Sequence, residues 1–478
     1  SHILRSLTGT HTDIAKVIHE MYKHDFRCSS IKNKIWYQFK NHRWEELDNG
    51  VELRRRISND VVNEYCNLSA DFSKKAAELT DQDPNKEVFM SRSKSLTNIS
   101  IQLRKQSMKK NIMEECAEYF YEPKFEELLD SKDNLIGFTN GVYDLEQKIF
   151  REGLPEDYIS FSTNIDFIEE LSQDDRERIE EVNTFLEQVL PVERVREYVL
   201  SLLSSFLTGK TGEEKFHIWT GSGGNGKSKL TELFKTAFGD YCGILPVTVL
   251  TQGRTASNAA SPALAKTKGK RFCLLQEPEE HEQIHVGLMK ELTGGDTIQA
   301  RALHRDPVEF KPKFKMVLTC NELPSVPSTD QGTWRRIRVV EFISKFVDDP
   351  NPKNPYEFPR DLDLSEKMLE WPEVFMYLLI RYYHQYIEQG LREPEEVLKG
   401  TLAYKAESDL YSQFFQEYIE ESPKGHLVLD VIYDLFKEWW RSGCGDKKPP
   451  TKKDLTKNMS KTYGKCDSRK RWKGIALI

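Results

Sequence analysis

The sequence lacks a run of apolar residues as long as the roughly 20 needed to cross a bilayer, and it lacks a secretory signal peptide. We therefore expect a protein that is neither membrane-spanning nor secreted. None of the eight cysteines forms a C-x-x-C pair, which indicates neither a zinc site nor a disulfide framework. Reduced thiols in a cytoplasmic setting are the plain expectation. The chain begins with Ser rather than Met, and we expect further sequence upstream.

The sequence also lacks an excess of positive charge. Its 69 Lys and Arg face 76 Asp and Glu, a net charge of −7, so any surface for nucleic acid must be local. The length of 478 residues predicts about three domains. The hydrophobic share of 38% predicts globular packing.

What stands out is the octapeptide GSGGNGKS, which matches the phosphate-loop pattern G-x-x-x-x-G-K-[ST]. Its glycines let backbone N–H groups turn toward phosphates, its lysine supplies a cation, and its serine offers a hydroxyl to Mg²⁺. The flanking pattern predicts a strand over 216–220 and a helix over 230–238, so that a helix N-terminus faces the phosphates. We expect an ATP and Mg²⁺ site at Gly221, Ser222, Gly223, Gly224, Asn225, Gly226, Lys227 and Ser228.

Two polar residues follow predicted strands downstream of the loop. Glu277 ends the apolar run 270–276, where it would orient the attacking water and help to hold Mg²⁺. Gln276 stands where many ATPases carry Asp, which puts direct carboxylate ligation of the metal in doubt. Asn321 ends the run 313–320 and would contact the γ-phosphate or the water. The alternatives are a solvated surface Glu and an ordinary turn residue.

Adjacent arginines complete the candidate catalytic set. Arg336, with Arg335 as the alternative, would reach the ATP of a neighbouring subunit and stabilise transition-state charge. Solvated surface arginines are the competing interpretation.

In this order and spacing, these segments resemble superfamily 3 helicases, specifically the helicase half of the primase-helicases of nucleocytoplasmic large DNA viruses, phages and plasmids. The segments that carry the resemblance are GSGGNGKS, LLQEPEE, ELTGGDTIQAR, VLTCNELP and WRRIRVVEF. NGVYDLEQKIF resembles the domain that precedes the helicase domain in this family. The resemblance implies an AAA+-like α/β fold and a homohexameric ring with ATP between subunits. It also implies movement along single-stranded DNA, usually 3′ to 5′, in the host cytoplasm or at a viral replication site.

A family-like hairpin is predicted between Glu277 and Asn321. Residues 297–303 and 308–311 read as two strands, and the resemblance makes His304 and Arg305 at the tip contacts for DNA phosphates. An ordinary charged turn is the alternative. Nearby, Lys290 and Arg301 are weaker candidates for sensing the nucleotide.

The predicted organisation has five parts. They are a mainly helical region 1–125, a hairpin and helical collar 126–205, the ATPase domain 206–347, a helical linker 348–405 and a winged-helix-like domain 406–478. In the first, aromatic residues around 34–44 pack as a core or stack on bases. In the last, eleven Lys and Arg against two Asp over 447–473 give a local charge of +9, suited to DNA or to a solvated surface.

No primase centre is visible, because Asp361 and Asp363 have metal-like spacing but lack the other residues that such a centre needs. We expect a primase domain upstream and other replication proteins as partners. The sequence thus predicts an ATP-driven replicative helicase. An origin initiator or packaging motor on duplex DNA, or a nucleotide-gated scaffold of the replication machinery, is the alternative.

Overall fold

The computed structural model describes residues 2–252, 261–276, 283–301, 307–324, 326, 330–444 and 449–478. The chain divides into two compact units, Ser1–Glu169 with Phe238–Asp240 and Glu170–Ala237 with Tyr241–Ile478. The architecture is mixed α/β, and its largest sheet is parallel. Among the described residues, no helix combines the length and the apolar character required to cross a membrane.

The first unit combines helices with two antiparallel three-stranded sheets, β1-β2-β3 and β4-β5-β6. Local signals set its helix starts: Thr10 caps α1, while Asp83 caps α4 with Pro84 in the first turn. The elements are α1 (His11–Tyr22), β1 (Phe26–Ser30), β2 (Ile35–Lys40), β3 (Arg43–Asp48), α2 (Val51–Arg56), α3 (Val62–Ala77), α4 (Pro84–Gln102), α5 (Gln106–Tyr119), α6 (Phe125–Leu128), β4 (Leu135–Phe138), β5 (Gly141–Asp144) and β6 (Ile149–Arg151).

The aromatic residues of the β2-β3 hairpin belong to the core of this unit. Trp36, Tyr37 and Trp44 are only 3%, 7% and 1% exposed. The indole N–H of Trp44 donates to the Pro155 carbonyl oxygen at 2.9 Å, which satisfies its polar edge inside the core. Base stacking by these rings is therefore wrong as an interpretation, because their faces are covered by protein. Strands β2 and β3 pair as a hairpin, and β1 extends it to a three-stranded sheet.

The second unit contains the parallel sheet and everything after it. Ser172 and Asp175 form a capping box that starts its first helix. The elements are α7 (Gln173–Val189), α8 (Glu193–Ser205), β7 (Phe216–Thr220), α9 (Lys227–Phe238), β8 (Cys242–Ile244), α10 (Thr248–Thr251), α11 (Pro262–Ala265), β9 (Phe272–Gln276), α12 (Val286–Gly294), β10 (Ile298–Ala300), β11 (Val308–Phe310), β12 (Lys315–Thr319), α13 (Gln331–Trp334), β13 (Ile337–Glu341), β14 (Lys345–Val347), β15 (Glu357–Pro359), α14 (Leu364–Lys367), α15 (Pro372–Gln389), α16 (Glu395–Glu407), α17 (Leu410–Tyr418), β16 (Ile419–Val428), α18 (Leu429–Cys444), α19 (Lys452–Tyr463) and β17 (Arg471–Leu477).

The five-stranded sheet has the order β13-β7-β12-β9-β8 with every pair parallel. Its central strands are apolar almost throughout because both faces are buried, as parallel sheets require. Strand β7 is followed in sequence by β8 at the far edge, while β12 and β13 lie on either side of β7. The connection after β7 runs to β8 at one edge, whereas the connection from β12 to β13 passes to the other side of β7. Open α/β sheets bind ligands at the carboxyl ends of strands where the strand order reverses in this way.

The C-terminal part has its own hydrophobic core, formed by residues of α17, α18, α19 and the antiparallel β16-β17 pair. Ile432, Phe436 and Trp440 form the buried face of α18. Val428 ends β16 and directly precedes α18. Helix α19 begins with a capping box between Thr451 and Asp454.

Candidate phosphate-binding site

The glycine loop follows β7 and leads directly into α9, which begins at Lys227. This confirms the strand and helix predicted on either side of the loop. Gly221, Gly224 and Gly226 have φ angles of 145°, 78° and 80°, values that side-chain-bearing residues rarely adopt. A Cβ on Gly226 would lie 2.6 Å from Cγ2 of Val189. The glycines are therefore required by backbone shape and by close packing.

The segment after β13 is hydrogen-bonded to the glycine loop. The Phe346 N–H donates to the Gly224 carbonyl oxygen at 2.8 Å, and the Asn225 side-chain amide donates to the Phe342 carbonyl oxygen at 3.4 Å. Asn225 also accepts from the backbone N–H of Lys227 at 3.2 Å. These bonds hold the loop to the segment that follows β13, and we call residues 342–346 the loop brace.

Lys227 is 5% exposed although it carries a cation. Its Nζ donates to the carbonyl oxygens of Cys320 at 2.6 Å and Gly221 at 3.3 Å. These carbonyls supply part of the solvation lost on burial. Burial also raises the pKa of the neighbouring Cys320 thiol to about 11, with Lys227 acting in the opposite direction, so this thiol is protonated at neutral pH.

A cleft of about 380 Å³ opens above the loop. It contains residues 223–229 together with Gln276, Thr319, Cys320 and Asn321 from the carboxyl ends of β9 and β12. The geometry fits a polyphosphate, because a Cβ on Gly223 would meet nothing within 4 Å, so the backbone there lies open to a ligand. Ser228 and Gln276 are among the described residues of the cleft whose side-chain oxygen atoms could ligate a divalent cation.

The structure brings Asn321 to this cleft and leaves the prediction for Glu277 untested. Asn321 is exposed directly after β12, and its carbonyl oxygen accepts from the Thr220 hydroxyl at 3.1 Å. Asn321 therefore lies in a turn and also lines the cleft. Strand β9 runs where the acid-bearing strand was predicted, but Glu277 itself lies outside the described residues.

Arg335 and Arg336 lie at the opposite edge of the sheet. They precede β13, and the Arg336 carbonyl oxygen accepts from the N–H of Phe216, the first residue of β7. The loop follows the last residue of β7, about 16 Å away for a five-residue strand. Neither arginine is placed to contact a phosphate in the loop of its own chain.

The predicted hairpin exists as β10 paired with β11, although both strands are shorter than expected. His304 and Arg305 at its tip lie outside the described residues. Lys290 on α12 is paired with Asp330, and the Arg301 N–H donates to the Ser261 hydroxyl at 3.3 Å. The Lys290 contact, strengthened by the N–H of Gly332, lowers the pKa of Asp330.

The structure also contains features of this region that the motifs did not reveal. The loop brace carries no recognisable sequence pattern, and the same is true of Glu214, whose φ is 51° and whose carboxylate contacts both arginines.

Asp361 accepts from the backbone N–H of Asp363 and pairs with Lys367, as expected of a structural turn. Among the residues that the structure describes, no cluster of His, Cys, Asp and Glu could hold a metal ion.

The fold and the loop define a mixed α/β protein with a phosphate-binding candidate at the edge of a parallel sheet. Residues 15–191 match the family described as D5 N terminal like, and residues 219–336 match a family of unknown function, DUF5906. The chain is 41% identical over 97% of its length to a putative helicase of Acanthamoeba polyphaga mimivirus, of which it covers 49%. With these matches, the chain belongs to the primase-helicase family that its motifs indicated.

More distant relatives agree with this assignment. The chain is 28% identical over 90% of its length to a putative helicase of Frog virus 3, covering 54% of it. It is 24% identical over 92% of its length to a putative primase of African swine fever virus, covering 48% of it. It thus spans about half the length of the curated relatives it matches. A solved apo structure of the NrS-1 C-terminal region aligns over 70% of each chain with 14% identity and a TM-score of 0.38, too distant for a functional argument.

Proposed function

We propose that this chain is the ATP-driven motor of a replicative DNA helicase of superfamily 3, with an AAA+-like phosphate-loop core and a winged-helix-like C-terminal domain. The observation that carries the proposal is the braced glycine loop at the carboxyl end of β7, with the buried Lys227 cation beneath an open cleft. The family relationship and the helicase names of the relatives favour ATP over other phosphate ligands.

In this proposal the loop amides and Lys227 bind the β and γ phosphates of ATP. Ser228 and Glu277 would hold Mg²⁺, and the bound ion would neutralise charge on the phosphate oxygens. Glu277 accepts the proton of the attacking water, and Asn321 orients that water or the γ-phosphate. Hydrolysis breaks the bond between the γ-phosphorus and the bridging oxygen, and ADP and phosphate leave.

The arginine pair completes the site in a neighbouring subunit. Because Arg335 and Arg336 lie at the sheet edge away from the loop, either of them would serve the nucleotide of another chain and not that of its own. This arrangement favours the proposed hexameric ring, with single-stranded DNA in its channel and movement from 3′ to 5′. His304 and Arg305 would contact DNA phosphates there, and a primase region and other replication proteins would act with the ring.

The direct test replaces the loop lysine. Lys227→Ala should lower ATP hydrolysis by at least about 100-fold, in the range for losing one preorganised electrostatic contact, and strand separation should disappear with it. Lys235→Ala, at the other end of α9, is the matched control and should behave as wild type. Strand separation by the Lys227→Ala protein would contradict the proposal.

The hairpin distinguishes a motor from a scaffold. His304→Ala with Arg305→Ala should leave ATP binding unchanged while removing most of the stimulation of hydrolysis by single-stranded DNA, because the DNA phosphates lose their contacts. Hydrolysis should be measured with and without single-stranded DNA. Unchanged stimulation would favour a nucleotide-gated scaffold, and stimulation by duplex DNA alone would favour a packaging motor or initiator.

A further inference from the structure

The two neighbouring arginines differ sharply in exposure. The Arg336 side chain is 11% exposed and donates to the Gly332 carbonyl oxygen and to Glu214 Oε2, both at 2.9 Å. The Arg335 side chain is 62% exposed and donates to the same Oε2 at 2.8 Å. The Arg336 guanidinium is therefore largely buried, whereas the Arg335 guanidinium is largely exposed to solvent. Both contact the Glu214 carboxylate.

The backbone beneath the exposed arginine is held firmly. The Arg335 carbonyl oxygen accepts from Lys215 Nζ at 2.8 Å and from Arg338 Nη1 at 3.2 Å. The Arg336 N–H donates to the Thr333 carbonyl oxygen at 3.0 Å. The Arg335 side chain thus projects from a fixed base, so few backbone degrees of freedom are lost when it binds a partner.

Glu214 has an unfavourable backbone conformation. Its φ of 51° lies in the left-handed region, which costs energy for any residue with a side chain except where local contacts compensate. The conformation places one carboxylate between two guanidinium groups.

We propose that Arg335 is the arginine that contacts the nucleotide of the neighbouring subunit, and that Arg336 and Glu214 are positioning residues. The assignment rests on the proposed function. Arg335 can leave Glu214 to bind a phosphate of the neighbouring nucleotide. Arg336 then still donates to Glu214 and to the Gly332 carbonyl oxygen, so the turn stays anchored. Arg336 could reach a neighbour only by leaving the Gly332 carbonyl oxygen as well as Glu214, so the turn would lose an anchor that Arg335 does not supply.

The test compares single variants in the full chain: Arg335→Ala, Arg336→Ala and Glu214→Asn. Asn tolerates the left-handed backbone but carries no charge, so it removes the carboxylate without adding strain. Glu213→Ala is the matched control, since Glu213 is the adjacent acid and accepts from the Tyr386 hydroxyl instead. We would measure kcat, KM for ATP and the thermal unfolding midpoint of each.

Arg335→Ala should lower kcat by about 10³-fold, as for other trans arginines, with KM and the midpoint unchanged. Arg336→Ala and Glu214→Asn should lower kcat by about 10-fold and also lower the midpoint, because they loosen the turn. In a protein already carrying Arg335→Ala, Glu214→Asn should lower kcat no further, because Glu214 acts through Arg335. A merely structural Glu214 would lower kcat in both backgrounds.

Mixed assemblies give the second readout. Arg335→Ala subunits combined with Lys227→Ala subunits should regain part of the wild-type hydrolysis, since each supplies what the other lacks. Hydrolysis that needs Lys227 but survives Arg335→Ala, or a 10³-fold loss in Arg336→Ala with an unchanged midpoint, would overturn this inference alone. A wild-type chain that hydrolyses no ATP would overturn the proposed function as well.

Discussion

The imidazole of His217 lies in the middle of β7, 1% exposed. Its Nε2 is 2.8 Å from the Tyr198 hydroxyl, and its Nδ1 is buried without a hydrogen-bond partner among the described residues. Burial lowers the pKa of His217 to about 3, with the cations of Arg338 and Lys215 acting in the same direction. The ring is therefore neutral at physiological pH, and its protonation would lower the free energy of unfolding.

This shift predicts an acid-sensitive core. Because the unfolded chain binds the proton near pH 6.5 and the folded one near pH 3, stability should fall as pH drops through this window. The loss is about 1.4 kcal/mol per pH unit, or about 2 kcal/mol between pH 7 and pH 5. His217→Gln cannot titrate, so its denaturant midpoint should fall less over the same pH range. Equal slopes for both proteins would contradict the assignment.

At the scale of elements, the glycine loop is shaped by what lies beneath it. Gly226 has a φ of 80°, and an added Cβ would lie 2.6 Å from Val189 and 3.1 Å from Phe346. Gly223 differs, since its Cβ would project into open space. Two glycines in one motif therefore serve different purposes: one permits packing, and the other leaves room for a ligand.

The pair predicts opposite outcomes on replacement by alanine. Gly226→Ala should lower the free energy of unfolding by about 1–3 kcal/mol through strain and overpacking. Gly223→Ala should leave stability near wild type. Combining Gly226→Ala with Val189→Ala should recover part of the loss if the clash with Val189 causes it. Thermal unfolding of the four proteins checks this, and a stable Gly226→Ala protein would contradict the geometry.

The sequence predicted elements with strong local signals. Apolar runs located β7, β9 and β12, and the hairpin predicted within 126–205 is present as the β4-β5 pair. It did not predict the loop brace or the strained Glu214, because both depend on contacts between segments more than 100 residues apart. The order of the sheet strands likewise follows from packing and is absent from any local pattern.

At the scale of the whole molecule, the net charge of −7 conceals a basic C-terminal region. Lys453 and Lys457 lie one turn apart and exposed on α19, and Arg469, Lys470 and Lys473 are exposed further along. Capping by Thr451 and packing of Leu455 and Met459 fix which face of α19 these lysines occupy.

If this face binds DNA, its charges should appear in the salt dependence of binding. Lys453→Gln with Lys457→Gln should reduce the slope of log K against log salt concentration by about 1.4 for single-stranded DNA, at about 0.7 per lost contact. The control changes the same charge elsewhere, with Lys353→Gln and Lys399→Gln at exposed positions. Equal slopes for the two doubly substituted proteins would identify the lysines as solvated surface only.

Strand β13 begins directly after the arginine pair and leads into the loop brace at its other end. In the proposed ring, a subunit whose arginine engages the next nucleotide is thus connected to its own glycine loop by five rigid residues. The arginine offered to one nucleotide and the brace beneath another are thus the two ends of a single strand.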